Sequence, residues 1–222
     1  MNKYNFGIIF DMDGVLIDSN PYHKIALQNF CSKYGFHLTE EELKQRIFGR
    51  TNKEWISNLF GGNLEAEKLR DYAIEKELLY QELYKNDIIP VQGLHGFLEK
   101  LAKAGIKVAI GTSAPRINVD FTLKAIKAES FFNIILDESH VNKGKPDPEI
   151  YIRCCEALGM PPAQCIVFED SLSGLKAARA AGTKVVGIST THTADEMPNA
   201  DLVIADFDEI SPEAIQKAFF ES

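Results

Sequence analysis

What this 222-residue chain has little of narrows its function early. Basic residues are outnumbered, 24 Lys and Arg against 32 Asp and Glu, for a formal net charge of −8. That balance argues against a nucleic-acid binder, which presents a basic face to the phosphate backbone. It also sets up a tension, because an acidic protein that binds an anion needs local cations or a metal. Cysteine is scarce: Cys31, Cys154, Cys155 and Cys165 form no CxxC pair and no His/Cys spacing suited to zinc. Buried, reduced thiols in a reducing compartment are expected. No apolar run approaches membrane-spanning length, and the apolar part of MNKYNFGIIF is too short for a signal peptide. There is no Asn-x-Ser/Thr acceptor, internal repeat or low-complexity stretch. The expectation is a soluble cytoplasmic protein with neither a nucleic-acid nor a membrane partner.

What is present is an ordinary globular composition, 45% hydrophobic, with a regular rhythm of short apolar runs. These are FGIIF (6–10), KVAIG (107–111), FNIIL (132–136), CIVF (165–168), KVVGI (184–188) and LVIA (202–205). They are β-rich and lack clean alternation, as parallel strands covered on both faces do. Helical patterns separate the later runs, and three of them end at a glycine suited to terminate a helix: Gly105, Gly159 and Gly182. Strands alternating with single helices indicate an α/β protein with a doubly wound, mostly parallel sheet. The first strand breaks the rhythm. After it the chain runs from Pro21 to about Lys85 with helical periods alone, whereas a crossover needs only about a dozen residues. This stretch is read as an inserted helical domain, residues 18–86, in a Rossmann-like core formed by 1–17 and 87–222.

Ligands of open α/β sheets bind beyond the carboxyl ends of the strands, so the residues that follow each strand test for a site. The first strand is followed by Asp11 and Asp13, the second by Thr112 and Ser113, and the fourth by Glu169 and Asp170. Lys145 lies in the loop beyond the third. Each has a bland reading alone, since Asp, Ser and Thr also cap helices or form turns, and an isolated lysine is usually solvated. Together they make a carboxylate pocket beside an anion pocket of hydroxyl and ammonium. Oxygen ligands without His or Cys point to Mg²⁺ rather than zinc. A divalent metal bridging carboxylates and phosphate is an arrangement for phosphoryl transfer.

In this order, DMDGVLIDS, GTS, KPDP and EDSLSG resemble the four motifs of the haloacid dehalogenase superfamily, in its Mg²⁺-dependent phosphatase branch. The resemblance spans essentially the whole chain and puts the helical insert where that family keeps a small α-helical cap. It implies that Asp11 is a nucleophile forming an aspartyl phosphate. Asp13 would be the general acid–base, giving its backbone carbonyl to Mg²⁺. Thr112 and the Ser113 backbone would hold the phosphoryl group, Lys145 would neutralise the nucleophile, and Glu169 and Asp170 would complete the metal site. Asp18 would support the loop, and Lys145–Pro146 is a candidate cis peptide. An acid–base group at Asp13 suits the phosphatase and phosphomutase branches, because an alkoxide leaving group needs a proton and a halide does not.

The same resemblance places substrate recognition on the insert, at His23, Arg50, Thr51 and Lys76. Each has a second reading: a satisfied structural histidine, a helix N-cap for Thr51, a solvated helix face for Lys76. Trp55 could line the same pocket or belong to the core. Arg116 and Asn118 could reach the phosphate or merely begin a helix. The resulting expectation is a phosphatase acting on a small phosphorylated metabolite of the sugar-phosphate or phosphoglycolate type. The alternative is a β-phosphoglucomutase-like phosphomutase. Against it, Asn52 stands where that branch's loop carries an arginine, and Pro115 stands where its second motif carries a lysine. A receiver module that merely accepts phosphate fits poorly with Asp13 and with the large insert.

Overall fold

The computed structural model describes residues 4–47 and 51–221. Two compact units result, Met1–Asp18 with Ile88–Ser222, and Ser19–Asp87. The chain opens with β1 (Gly7–Phe10) and passes through α1 (Asn20–Lys33), α2 (Glu40–Arg46), α3 (Asn52–Leu59) and α4 (Ala66–Tyr84). It returns through α5 (Leu94–Lys103), β2 (Val108–Gly111), α6 (Arg116–Ala125), β3 (Ile135–Leu136) and α7 (Glu149–Leu158). It ends with β4 (Cys165–Glu169), α8 (Leu172–Ala180), β5 (Lys184–Ile188), β6 (Leu202–Ile204) and α9 (Pro212–Phe219).

The six strands form one parallel sheet in the order β3-β2-β1-β4-β5-β6. This order reverses direction between β1 and β4, which places the switch point of a doubly wound sheet beside Asp11 and Glu169. Both faces are covered, which explains the unbroken apolar strands. Phe10 and Phe168 stack at 5.3 Å on one face and meet Phe97 of α5. Ile9 and Val167 face the other way into a core with Tyr151, Cys154 and Leu175 from α7 and α8. One expected strand shrinks: of residues 132–136 only Ile135 and Leu136 join the ladder. Phe132 instead turns its ring edge-on to Phe10, 5.8 Å away, after a short 3₁₀ turn over Glu129–Phe131. The glycines at 105, 159 and 182 all take positive φ, as helix termination by a left-handed residue requires.

The helical unit has its own core of Leu27, Phe30, Leu43, Trp55, Ile56 and Leu59. Trp55 is therefore a core residue, its ring 5.5 Å from and perpendicular to that of Phe30. Thr39 and Thr51 both start helices through reciprocal capping boxes, with Glu42 and Glu54 as their partners. The solvated reading of Lys76 is overturned: it is 5% exposed and its neighbour Glu77 is 3% exposed, on the face that α4 turns inward.

Candidate active site

Strand register brings the acids together. Phe10 pairs with Phe168, so Asp11, one residue on, lies level with Glu169 at the ends of neighbouring strands. The Asp11 amide donates to the Phe168 carbonyl at 3.0 Å, extending the ladder to the site itself. After Asp11 the chain makes a tight loop: Leu16 N donates to Met12 O and Gly14 N to Ile17 O. Met12, Val15, Leu16 and Ile17 are fully buried and fasten this loop to the core. Gly14 has φ of 76°, and a Cβ there would collide with the Asp170 carboxylate. Only glycine lets the loop approach that acid so closely. Asp13 lies on this loop, partly exposed and bridged to Ile17.

Lys145 joins the two strand ends, with its Nζ 2.8 Å from Asp11 Oδ1 and 2.6 Å from Glu169 Oε1. The peptide that follows it, Lys145–Pro146, is cis. Its ammonium also lies 4.8 Å from the centre of the Tyr151 ring. Glu169 is completely buried and densely bonded. Its Oε1 accepts from Lys145 and, at 2.8 Å, from the Tyr151 hydroxyl. Its Oε2 accepts from the amides of Asp170 and Ser171 and from the Ser171 hydroxyl at 2.9–3.0 Å. Asp170, also buried, accepts a short hydrogen bond from Thr191. Neither Tyr151 nor Thr191 was anticipated. The run STTHT after the fifth strand was a signal for the threonine, whereas Tyr151 reads as one more apolar position of a helix.

Asp11, Glu169 and Asp170 each offer an oxygen within 4.8 Å of the others. Three buried carboxylates meet one ammonium, and the imbalance shows in their proton affinities. Burial, opposed by Lys145 and reinforced by Glu169 and Asp13, raises Asp11 to about 7. Burial with the charges of Glu169 and Asp11 raises Asp170 well above its ordinary value. Burial also works against Glu169, but Lys145 and the hydrogen bonds above hold it below the usual range. Burial disfavours the Lys145 ammonium, yet Asp11 and Glu169 hold it above its ordinary value. A hard divalent cation fits this donor set, which is all oxygen and short of positive charge.

Among the remaining candidates, Thr112 is buried just past β2, with its Oγ1 accepting from Ala114 N at 3.1 Å, and Ser113 beside it is exposed. Arg116 and Asn118 part company: Asn118 is fully buried, whereas Arg116 is exposed and pairs with Asp120 at 2.8 Å along α6. In the helical unit Lys76 Nζ contacts His23 Nδ1 at 3.1 Å. The Thr51 hydroxyl accepts from Glu54 N as a helix cap, and Arg50 lies outside the described residues.

The sequence matches a family of known enzymes, Haloacid dehalogenase-like hydrolase, over residues 8–188. It is 36% identical to a phosphorylated carbohydrates phosphatase of Thermotoga maritima, across 79% of this chain and 81% of that one. It is 28% identical to the β-phosphoglucomutase of Bacillus subtilis, across 95% and 93%. A crystal structure of a HAD hydrolase, family IA, variant 3, from Entamoeba histolytica superposes with a TM-score of 0.86 at 32% identity, covering 96% of this chain and 99% of that one.

Proposed function

The chain belongs to the haloacid dehalogenase-like hydrolase family, and on that premise we propose that it is a Mg²⁺-dependent phosphatase of small phosphorylated metabolites in the cytoplasm. The observation that carries this reading is the Lys145 bridge between Asp11 and Glu169, with buried Asp170 alongside. Such an arrangement is short of positive charge; a divalent metal would supply it and so admit the phosphate of an ester. Similarity to the phosphorylated carbohydrates phosphatase favours sugar phosphates or related small esters. No helix among the described residues is long and apolar enough to cross a membrane.

In this proposal Lys145 holds one oxygen of Asp11 while the other attacks phosphorus, giving an aspartyl phosphate. Asp13 protonates the leaving oxygen and then takes a proton from the water that hydrolyses the intermediate. The Thr112 hydroxyl and the Ser113 backbone hold the phosphoryl oxygens. Asp11, Glu169, Asp170 and the Asp13 carbonyl would hold Mg²⁺, which supplies charge neutralisation for the transferring group. Lys145 opposes the burial that favours the protonated form of Asp11. The helical unit serves as the specificity cap, with His23, Arg50, Thr51 and Lys76 as its candidate substrate contacts.

The second reading, a sugar phosphomutase, rests on similarity to the Bacillus subtilis enzyme along nearly the whole chain. One assay separates the two: Mg²⁺ with a panel of phosphoesters, following both free phosphate and isomeric products. Phosphate release that vanishes in Asp11→Asn supports the phosphatase. Isomer formation without release supports the mutase, and undiminished release by Asp11→Asn rules out the covalent route.

A further inference from the structure

β5 ends at Ile188 and pairs with β4, whose end carries Glu169 with Asp170 next to it. The run that follows β5, Ser189–Thr193, holds three threonines whose hydroxyls are used differently. Thr193 acts locally: its amide and its hydroxyl both donate to the Glu196 carboxylate, at 2.9 and 3.1 Å. Thr190 and Thr191 reach across the sheet edge instead. The Thr190 hydroxyl donates to the Gly14 carbonyl at 2.5 Å, and the Thr191 hydroxyl donates to Asp170 Oδ2. These two acceptors already lie against each other, because a Cβ on Gly14 would overlap that same Oδ2. Two neighbouring threonines thus close a ring around the contact between the Asp13 loop and Asp170.

The segment that presents them is anchored at both ends. Ser189 N donates to Ile204 O at 3.0 Å, and Met197 is buried in the core with Val167 and Val185. The kind of donor matters as well. Lys145 meets Asp11 and Glu169 as an ammonium, whereas Thr191 brings Asp170 a neutral hydroxyl. A neutral donor cancels no charge; it leaves the acid negative and sets the direction in which it faces. Outer hydrogen bonds of this kind orient the groups that ligate a metal. Direction matters most for Mg²⁺, which demands near-regular octahedral geometry. Ca²⁺ is larger, tolerates irregular coordination and takes carboxylates through both oxygens. A hydrogen bond that holds Oδ2 opposes the turn that a two-oxygen grip requires.

We infer that Thr191 is a positioning residue that fixes the Asp170 carboxylate for a small divalent cation, while Thr190 holds the Asp13 loop against the same acid. This inference rests on the metal-dependent phosphatase reading and adds to it a determinant of cation choice.

The test measures cation binding without turnover. The melting temperature of the whole chain is followed against Mg²⁺ or Ca²⁺ concentration, which yields a Kd for each. Thr191→Val keeps the shape and removes the donor, so its Mg²⁺ Kd is expected to rise about 10–100-fold, with a smaller rise for Ca²⁺. Thr191→Ser restores the hydroxyl and is expected to bind both cations close to the wild type. Thr190→Val leaves the Asp170 donor in place, so its Mg²⁺ Kd should move less than that of Thr191→Val, while kcat falls through the Asp13 loop. An unchanged Mg²⁺ Kd in folded Thr191→Val overturns the inference, as do equal losses for the two cations, or a Thr191→Ser variant that binds no tighter than Thr191→Val. Unchanged kcat in Thr190→Val overturns the part assigned to Thr190. If Thr191→Val does not fold, Thr191→Ala decides in the same directions, and failure of both to fold overturns the positioning role. A wild type that neither cation stabilises removes the metal-dependent reading and this inference with it. Cation binding without turnover of any ester removes the phosphatase reading alone, and the Kd values still decide the inference.

Discussion

Gly174, in the first turn of α8, faces the Glu169 carboxylate so closely that a Cβ at this position would overlap it. A flexible glutamate would normally swing aside. This one has little freedom, because Lys145, Tyr151, Asp170 and Ser171 all donate to it. Gly174→Ala is therefore expected to push Glu169 off Lys145 and to cost about 1–3 kcal/mol of stability, the usual range for overpacking a tight site. Displacing Lys145 from Asp11 by even one ångström is expected to lower kcat about 100-fold. Urea unfolding and steady-state kinetics on the same preparation check both figures. Unchanged kcat would show that the Glu169 bonds do not position the lysine.

Tyr151 tests the same anchor more gently. Its hydroxyl shares Glu169 Oε1 with Lys145, while its ring lies under the lysine ammonium. Tyr151→Phe keeps the ring and removes one donor to a buried charge, worth about 1.5–3 kcal/mol. If that loss falls on Lys145 alignment, kcat drops roughly tenfold or more with KM little changed. Tyr151→Leu also removes the ring and is expected to fall further. Equal kcat for the two variants would eliminate the cation–π contact as a contributor.

These anchors mark where sequence reading ends. Asp11, Lys145, Glu169 and Asp170 were legible because a parallel sheet delivers the residues after its strands to one edge. The core strands were legible because burial on both faces leaves continuous apolar runs. Tyr151 was not, since it matters through a contact from α7 to a strand end that no local period encodes, whereas Thr191 follows β5 and Gly174 lies five residues after the acid it faces. Glu77 was missed for a related reason: on a helix rich in Glu and Lys, a buried acid looks like any solvated one. Thr51 could be read as a cap or as a ligand, and only the bond from Glu54 N shows that it caps.

Metal removal should reverse the pH dependence of stability around the site. Without a cation, Asp11 titrates at about 7 in the fold against an ordinary value of 3.8, chiefly through burial. The folded state then binds the proton more tightly than the unfolded chain. Its stabilising effect is full below the ordinary value and is lost as pH rises through the folded value. In EDTA the melting temperature is expected to fall between about pH 4 and pH 7. Added Mg²⁺ should raise it most at the upper end, where the cation replaces the proton, and Asp11→Asn should make the EDTA profile shallower, leaving the part carried by Asp170, which burial and Glu169 also raise. An EDTA profile already flat in the wild type would mean that the acids do not share their charge as described.

The loop that carries Lys145 is held from outside by Glu149. This carboxylate accepts from the Asn142 amide at 2.8 Å, the Asn142 side chain at 3.0 Å and the Lys143 amide at 3.1 Å. Arg153, one turn along α7, donates two more bonds and neutralises it. Desolvation pushes the carboxyl up, but Arg153 and the two backbone amides outweigh it and bring it to about 2. The sign is opposite to that of Asp11: this contribution is present above the ordinary value of 4.5 and is lost as pH falls through about 2. At neutral pH the clamp is complete and links the loop before Lys145 to the start of α7. Glu149→Gln keeps the shape but replaces one acceptor oxygen with a donor, so an amide of the loop loses its partner. Because Glu149 lies at the partly exposed rim, global stability should change little, while looser placement of Lys145 lowers kcat several-fold. Amide exchange at Asn142 and Lys143 should quicken in the same variant. Faster exchange with unchanged kcat would confine the clamp to loop structure, and a large fall in melting temperature would mean that it holds the fold rather than the lysine.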